Sequence, residues 1–244
     1  MNGVPRTASA SSADTSGEKW TADPGALAAS YAWTRLSAGV LLGVTHVLGN
    51  RLHSLGFLRS VPAPGEALDE ESSKQVEREI DVCDGLTMRY RQLVLCGHET
   101  PVPALMLDSL TEALVLRALH ADSRSRDVAV NVNGHSPAVL VAPTALTQAL
   151  LLVMVALTCH EAARADEVPM VDIEGTADSC TVRICAAGGV PDGDVALAMD
   201  AAAWLLRDTR PAPTISRRST SEWTAVTISL PSLDSSRRAE SSST

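Results

Sequence analysis

Aromatic residues are nearly absent from this chain. Its 244 residues include four Trp, two Tyr and one Phe. The core must therefore be built from aliphatic side chains and alanine, a composition that suits helices. There is no basic block, and the net charge is −9, which argues against nucleic acid as a partner because phosphate neutralisation needs clustered Lys and Arg. Long apolar runs are missing too. The longest, Ala149 to Cys159, is too short to span a bilayer. The N-terminus lacks the basic start and apolar stretch of a secretory signal, so the chain is expected to be cytoplasmic and free of membrane. Cys83, Cys96, Cys159, Cys180 and Cys185 have no metal-ligand spacing. They sit among apolar neighbours and read as buried thiols rather than metal or redox groups.

What is present is an ample apolar fraction, 45% of residues, which excludes global disorder. The length permits one large or two small domains. Residues 1–22 are rich in Ser, Thr and Ala without periodicity and read as a disordered tail. Asp23-Pro24 starts a helix, with Asp capping and Pro in the first turn, and that helix runs to about Ser60. Pro62-Ala63-Pro64-Gly65 breaks it. A second helix is expected over roughly Glu66 to Gly97, its acidic first turns (Glu66, Asp69, Glu70, Glu71) complementing the helix dipole. Two long helices joined by a short turn form an antiparallel hairpin. One hairpin buries little alone, and two from two chains make a four-helix bundle, hence an expected homodimer.

Pro101-Val102-Pro103 marks a boundary, after which the pattern becomes mixed α and β. Leu107, Leu110, Leu114 and Ala118 line a helix. Val128 to Val132 and Val139 to Val141 read as strands. Pro143 opens a helix, apolar almost all round to Ala163, that should be buried. Val168 to Glu174 and Thr181 to Ala186 are expected strands, Asp194 to Arg207 a helix, and Thr214 to Arg218 with Thr224 to Leu230 a closing hairpin. Residues 232–244 are polar and Ser-rich, and read as a second disordered tail.

The first helix carries the candidate site. At about 100° per residue, Leu41, Val44, Leu48, Leu52, Leu55 and Arg59 share one side, while His46, Asn50, His53 and Phe57 fall nearly opposite. The apolar stripe can pack in a bundle while His46 faces out. The stretch LGVTHVLGNRLHSL, Leu42 to Leu55, resembles the H-box of two-component histidine kinases and histidine phosphotransferases. That pattern has a phosphorylatable His, often an acid after it, Asn or Thr four residues on, and Leu two beyond. His46, Asn50 and Leu52 match; Val47 replaces the acid and Arg51 the usual Pro. The order of elements beyond residue 100 resembles the family's ATP-binding domain. There Gln148 to Leu152 looks like the start of the N-box helix, and Trp223 to Pro231 is similar to the final strand. The resemblance spans about Gly25 to Pro231.

Several parts of the family's nucleotide site are missing. Its N-box asparagines are replaced by Leu152 and Ala156. Gly188 to Gly193 lacks the Asp-x-Gly-x-Gly order, and no Gly-x-Gly-Leu-Gly follows. An aliphatic wall cannot hold a triphosphate–metal complex, because burying that charge unpaired costs several kcal/mol. The resemblance thus implies an α+β protein with two ordered parts. Residues 23–99 would be a helical-hairpin dimerisation and histidine phosphotransfer domain, and 100–231 a degenerate ATPase-like α/β sandwich. The implied function is a phosphorelay histidine phosphotransferase without autokinase activity.

On this reading His46 is the phosphoacceptor. Asn50 contacts the phosphoryl oxygens or orients the ring. Arg51 either stabilises developing charge or forms an exposed or intersubunit salt bridge. His53 and Phe57 belong to the partner-binding face; His53 is the rival phosphoacceptor, and Phe57 is either a partner anchor or buried against the second domain. The partners are response-regulator receiver domains, which would supply Mg²⁺, so neither ATP nor a resident metal is expected. The alternative is a non-catalytic pseudokinase scaffold that binds regulators or kinases.

Overall fold

The computed structural model describes residues 23–60, 68–94, 100–120, 127–159, 168–188 and 190–242. The expected N-terminal tail, the break at 62–65 and Cys96 lie outside them.

Helix α1 (Pro24–Ser60) begins where Asp23 caps it, the Gly25 N–H donating to Asp23 Oδ1 at 2.9 Å. Its N-terminal half buries Ala29, Ala32, Leu36, Val40 and Val44 at spacings of three and four. This stripe packs against α5 (Asp192–Leu205), and Arg35 reaches Asp194 at 3.3 Å beside the contact. The stripe expected further along behaves differently. Leu48 and Leu55 are half-buried, but Leu41 and Leu52 are exposed. The physical reason is coverage: α2 (Glu70–Val94) is the helix that packs beside that half, and one neighbour shields only part of a helix circumference. α2 starts at Glu70 rather than Glu66, because Asp69 is its cap: the Ser72 N–H donates to Asp69 Oδ1 at 2.7 Å.

The remaining chain is mixed α and β. A five-stranded sheet has the order β2 (Ala129–Asn133), β4 (Met170–Gly175), β5 (Ser179–Ala187), β7 (Trp223–Pro231), β6 (Thr214–Ser219). β2 and β4 are parallel and the other pairs antiparallel. Alternation decides its faces. Val171 and Ile173, Val182 and Ile184, and Val226, Ile228 and Leu230 are fully buried on one side, against the helices α3 (Met106–Leu119), α4 (Pro143–Thr158) and α5. α4 lies within this layer and buries Leu146, Leu150, Leu151, Met154 and Leu157 around most of its circumference, as its composition predicts. Each such burial is worth about 1.5–3 kcal/mol.

Two elements depart from expectation. β1 (Val102–Leu105) pairs antiparallel with β3 (Ala138–Val141) in a separate two-stranded sheet, where a proline boundary was expected. Residues 233–242 form α6 (Leu233–Ser242) rather than a disordered tail. Ser232 explains the correction. Its Oγ accepts from the Ser235 N–H at 3.2 Å as an N-cap and donates to the Ala177 carbonyl at 2.8 Å, while Arg238 holds Asp178 at 2.6 Å. Among the described residues, no helix is long and apolar enough to cross a membrane.

Candidate functional site

His46 stands exposed on the C-terminal half of α1, on the side away from the buried stripe. Asn50, one turn on, places its amide nitrogen 3.3 Å from His46 Nε2. In the tautomer with the ring proton on Nδ1, this amide nitrogen donates to Nε2. The neighbouring Thr45 is occupied, its hydroxyl donating to the Leu41 carbonyl at 2.8 Å. Val47 is half-buried, so the residue after His46 brings neither charge nor a base.

His53 and Phe57 continue the same face. Both are exposed, Phe57 by 67%, so in the single chain Phe57 is not covered by the mixed domain. Leu42, one turn before His46 on α1, is also exposed and widens the apolar surface around the histidine.

Arg51 points elsewhere. Its Nη1 donates to both Oε1 and Oε2 of Glu79 on α2 at 3.0 Å, and Gln75 Nε2 adds a bond to Oε1 at 2.8 Å. The Glu79 carboxylate is buried and the Arg51 guanidinium half-exposed. Of the two roles open to Arg51, the structure displays the salt bridge, and it lies within the chain rather than between subunits. Glu79 and Gln75 are invisible to sequence reasoning as members of this site, since nothing in a 28-residue separation pairs them with Arg51.

A second unread feature lies one to two turns before His46. At Gly39 an added Cβ would strike the His120 ring, and at Gly43 the Leu119 carbonyl oxygen. The C-terminal turn of α3 thus seats on α1 where two glycines spaced by four remove side chains from one face. That spacing was the available signal.

At the positions of the family's N-box asparagines, Leu152 is buried and Ala156 half-buried, both among aliphatic neighbours of α4. Neither offers a group for a metal or a phosphate. No cluster of His, Cys, Asp and Glu suited to a metal occurs among the described residues. Cys180 is buried, but Cys83, Cys159 and Cys185 are only half-buried, which corrects the expectation of uniformly buried thiols.

No protein-family model and no curated protein matches the sequence. The chain is similar to solved structures of histidine kinases. The Acinetobacter baumannii histidine kinase AdeS is 15% identical, with 79% of this chain and 97% of that one covered and a TM-score of 0.40. The mycobacterial sensor histidine kinase MprB is 15% identical over 54% of this chain and 97% of that one, with a TM-score of 0.42. Histidine kinase ThkA in complex with the response regulator protein TrrA is 14% identical over 78% and 60%, with a TM-score of 0.44. At TM-scores of this size the likeness assigns no activity, and the functional reading rests on the site itself.

Proposed function

We propose that the protein is a phosphorelay histidine phosphotransferase. It accepts a phosphoryl group on His46 from the aspartyl phosphate of one receiver domain and passes it to the aspartate of another. The observation that carries the reading is the exposed His46–Asn50 pair on an outward helix face, with the Asn50 amide nitrogen 3.3 Å from His46 Nε2, in the H-box register of the sequence. The Nε2 lone pair forms the N–P bond as the P–O bond to the aspartate breaks, and the carboxylate leaves with the electron pair. The ring keeps its proton on Nδ1, and the reverse step regenerates it. Asn50 sets the tautomer and can turn to the phosphoryl oxygens. With Val47 beside His46, no side-chain base activates water against the phosphohistidine, which suits a carrier that must conserve the group.

The receiver docks on the face formed by Leu42, His46, His53 and Phe57, and brings its own Mg²⁺. The exposed apolar residues Leu41 and Leu52 of α1 and Ile80 of α2 are the surface a second copy covers, closing two hairpins into a four-helix bundle. The domain over 100–231 binds no ATP, because Leu152 and Ala156 leave nothing to hold the metal and phosphates.

Phosphotransfer from a panel of phosphorylated receivers tests this directly. The expected result is an acid-labile label on the wild type and on His53→Ala, and none on His46→Ala. Binding of receivers with no label on the wild type would replace the reading by the scaffold. Label from ATP without any receiver would refute the absence of kinase activity.

A further inference from the structure

Resting on the phosphotransfer reading, we infer that the C-terminal turn of α3 is a second part of the receiver-docking site, so that a receiver at His46 also rests on the mixed domain. At about 100° per residue, Gly39, Gly43, His46, Asn50, His53 and Phe57 fall within a sector of about 80° on α1. The two glycines and the histidine therefore share one face. α3 ends on that face: an added Cβ would strike the His120 ring at Gly39 and the Leu119 carbonyl oxygen at Gly43. Along the helix axis Gly43 lies about 4.5 Å, and Gly39 about 10 Å, before His46. On the other side of His46 the face is open, since Asn50, His53 and Phe57 are exposed. α3 is also tied to α2, where Arg89 Nε lies 3.5 Å from Glu112 Oε1. Its last turn is thereby held to both helices of the hairpin.

Size decides what a partner must touch. A stable protein–protein contact covers about 800 Å² on each partner, a patch that reaches about 16 Å from its centre. A contact of half that area still reaches about 11 Å. The end of α3 meets α1 about 4.5 Å before His46 along the axis, inside either radius. A footprint that stopped short of α3 would put the transferring phosphoryl group at its wet rim, where water competes with the histidine as acceptor. A footprint that surrounds His46 takes in the α3 turn, where Ala118 is exposed and Leu119 half-buried. The mixed domain then has a role that needs no nucleotide. Its first helix forms one wall of the docking surface, and a receiver fits only where the surface beside its phosphorylated aspartate clears that wall. Such a wall selects among receivers by shape.

Ala118→Arg tests this in the full chain, with Thr111→Arg as its control. Both positions are exposed, and Thr111 lies two turns earlier on α3, about 10 Å farther from its end. Two rates are measured for each protein: transfer to His46 from a phosphorylated receiver, and labelling of His46 by phosphoramidate, a small phosphoryl donor that needs no docking surface. The ratio of the first to the second should fall at least about tenfold in Ala118→Arg, through a raised KM for the receiver, and keep its wild-type value in Thr111→Arg. In the unaltered chain, saturating receiver should slow amide hydrogen exchange over residues 114–120. A ratio unchanged in Ala118→Arg, a ratio lowered equally in Thr111→Arg, or exchange over 114–120 that the receiver leaves unchanged would overturn this inference alone. No label from any receiver on the wild type would overturn the phosphotransfer reading and this inference together.

Discussion

Arg51→Ala separates the two roles that Arg51 could play. In the structure its guanidinium is spent on Glu79, whose side chain is 5% exposed, while Arg51 itself is 42% exposed. Removing one partner of a fully buried pair costs about 3–5 kcal/mol, and of an exposed pair about 0–1. This pair lies between those limits, and Gln75 still donates to Oε1 after the substitution. The expected loss is therefore about 2 kcal/mol, or about 4–8 °C in Tm for a chain of this size. Arg51→Met combined with Glu79→Met removes both charges together and should recover most of that loss, since a buried pair exchanged for apolar groups of similar volume is close to neutral. Thermal unfolding followed by helical circular dichroism supplies Tm, and phosphotransfer from a receiver supplies activity. On the structural account the double variant regains both. Loss of transfer by tenfold or more in Arg51→Ala at unchanged Tm, with no recovery in the double variant, would refute it and return Arg51 to the phosphoryl group.

Gly43→Ala should destabilise the protein by about 1–3 kcal/mol through overpacking, because the new methyl meets the Leu119 carbonyl oxygen. Gly49→Ala has nothing within 4 Å and should instead gain up to about 1 kcal/mol from helix propensity. Urea unfolding midpoints that shift alike in the two variants would sink the close-approach argument. The Ser72 N–H holds the Asp69 carboxyl below the usual carboxylate range. Its folded value is the lower one, so its contribution to capping α2 is fully present above the ordinary aspartate value and fades as pH falls through the folded value. A carbon-detected NMR titration of Asp69 with a midpoint at or above 3.8 would contradict this.

Much of the architecture could be read from periodicity, and the failures have specific causes. The strands β4, β5 and β7 were legible because each alternates buried and open positions, and α4 because it is apolar on nearly all sides. β1 was not, since Pro101 and Pro103 read as punctuation. Pro103 is tolerated because, among the described residues, β1 pairs only with β3. α6 was hidden by serine, a modest helix former, and depends on one cap and on Asp178, which lies far away in sequence. The outward direction of His46 follows from helix geometry alone and was therefore readable. The ion pair between Arg51 and Glu79 and the seat of α3 on Gly39 and Gly43 require knowledge of which helices meet, which no local pattern encodes.

The length of α1 has a mechanical consequence. Its 37 residues extend about 55 Å without an interior proline. The first half is clamped to the mixed domain through Leu36, Val40 and the Arg35–Asp194 contact, while the second half bears His46. A continuous helix is stiff in torsion and bending, so the two halves work as one shaft. Any reorientation of the mixed domain must turn the histidine with it, and no swivel lies between them to carry a catalytic domain towards its own histidine. The helix is a rigid arm that holds the His46 ring at a fixed height relative to the mixed domain.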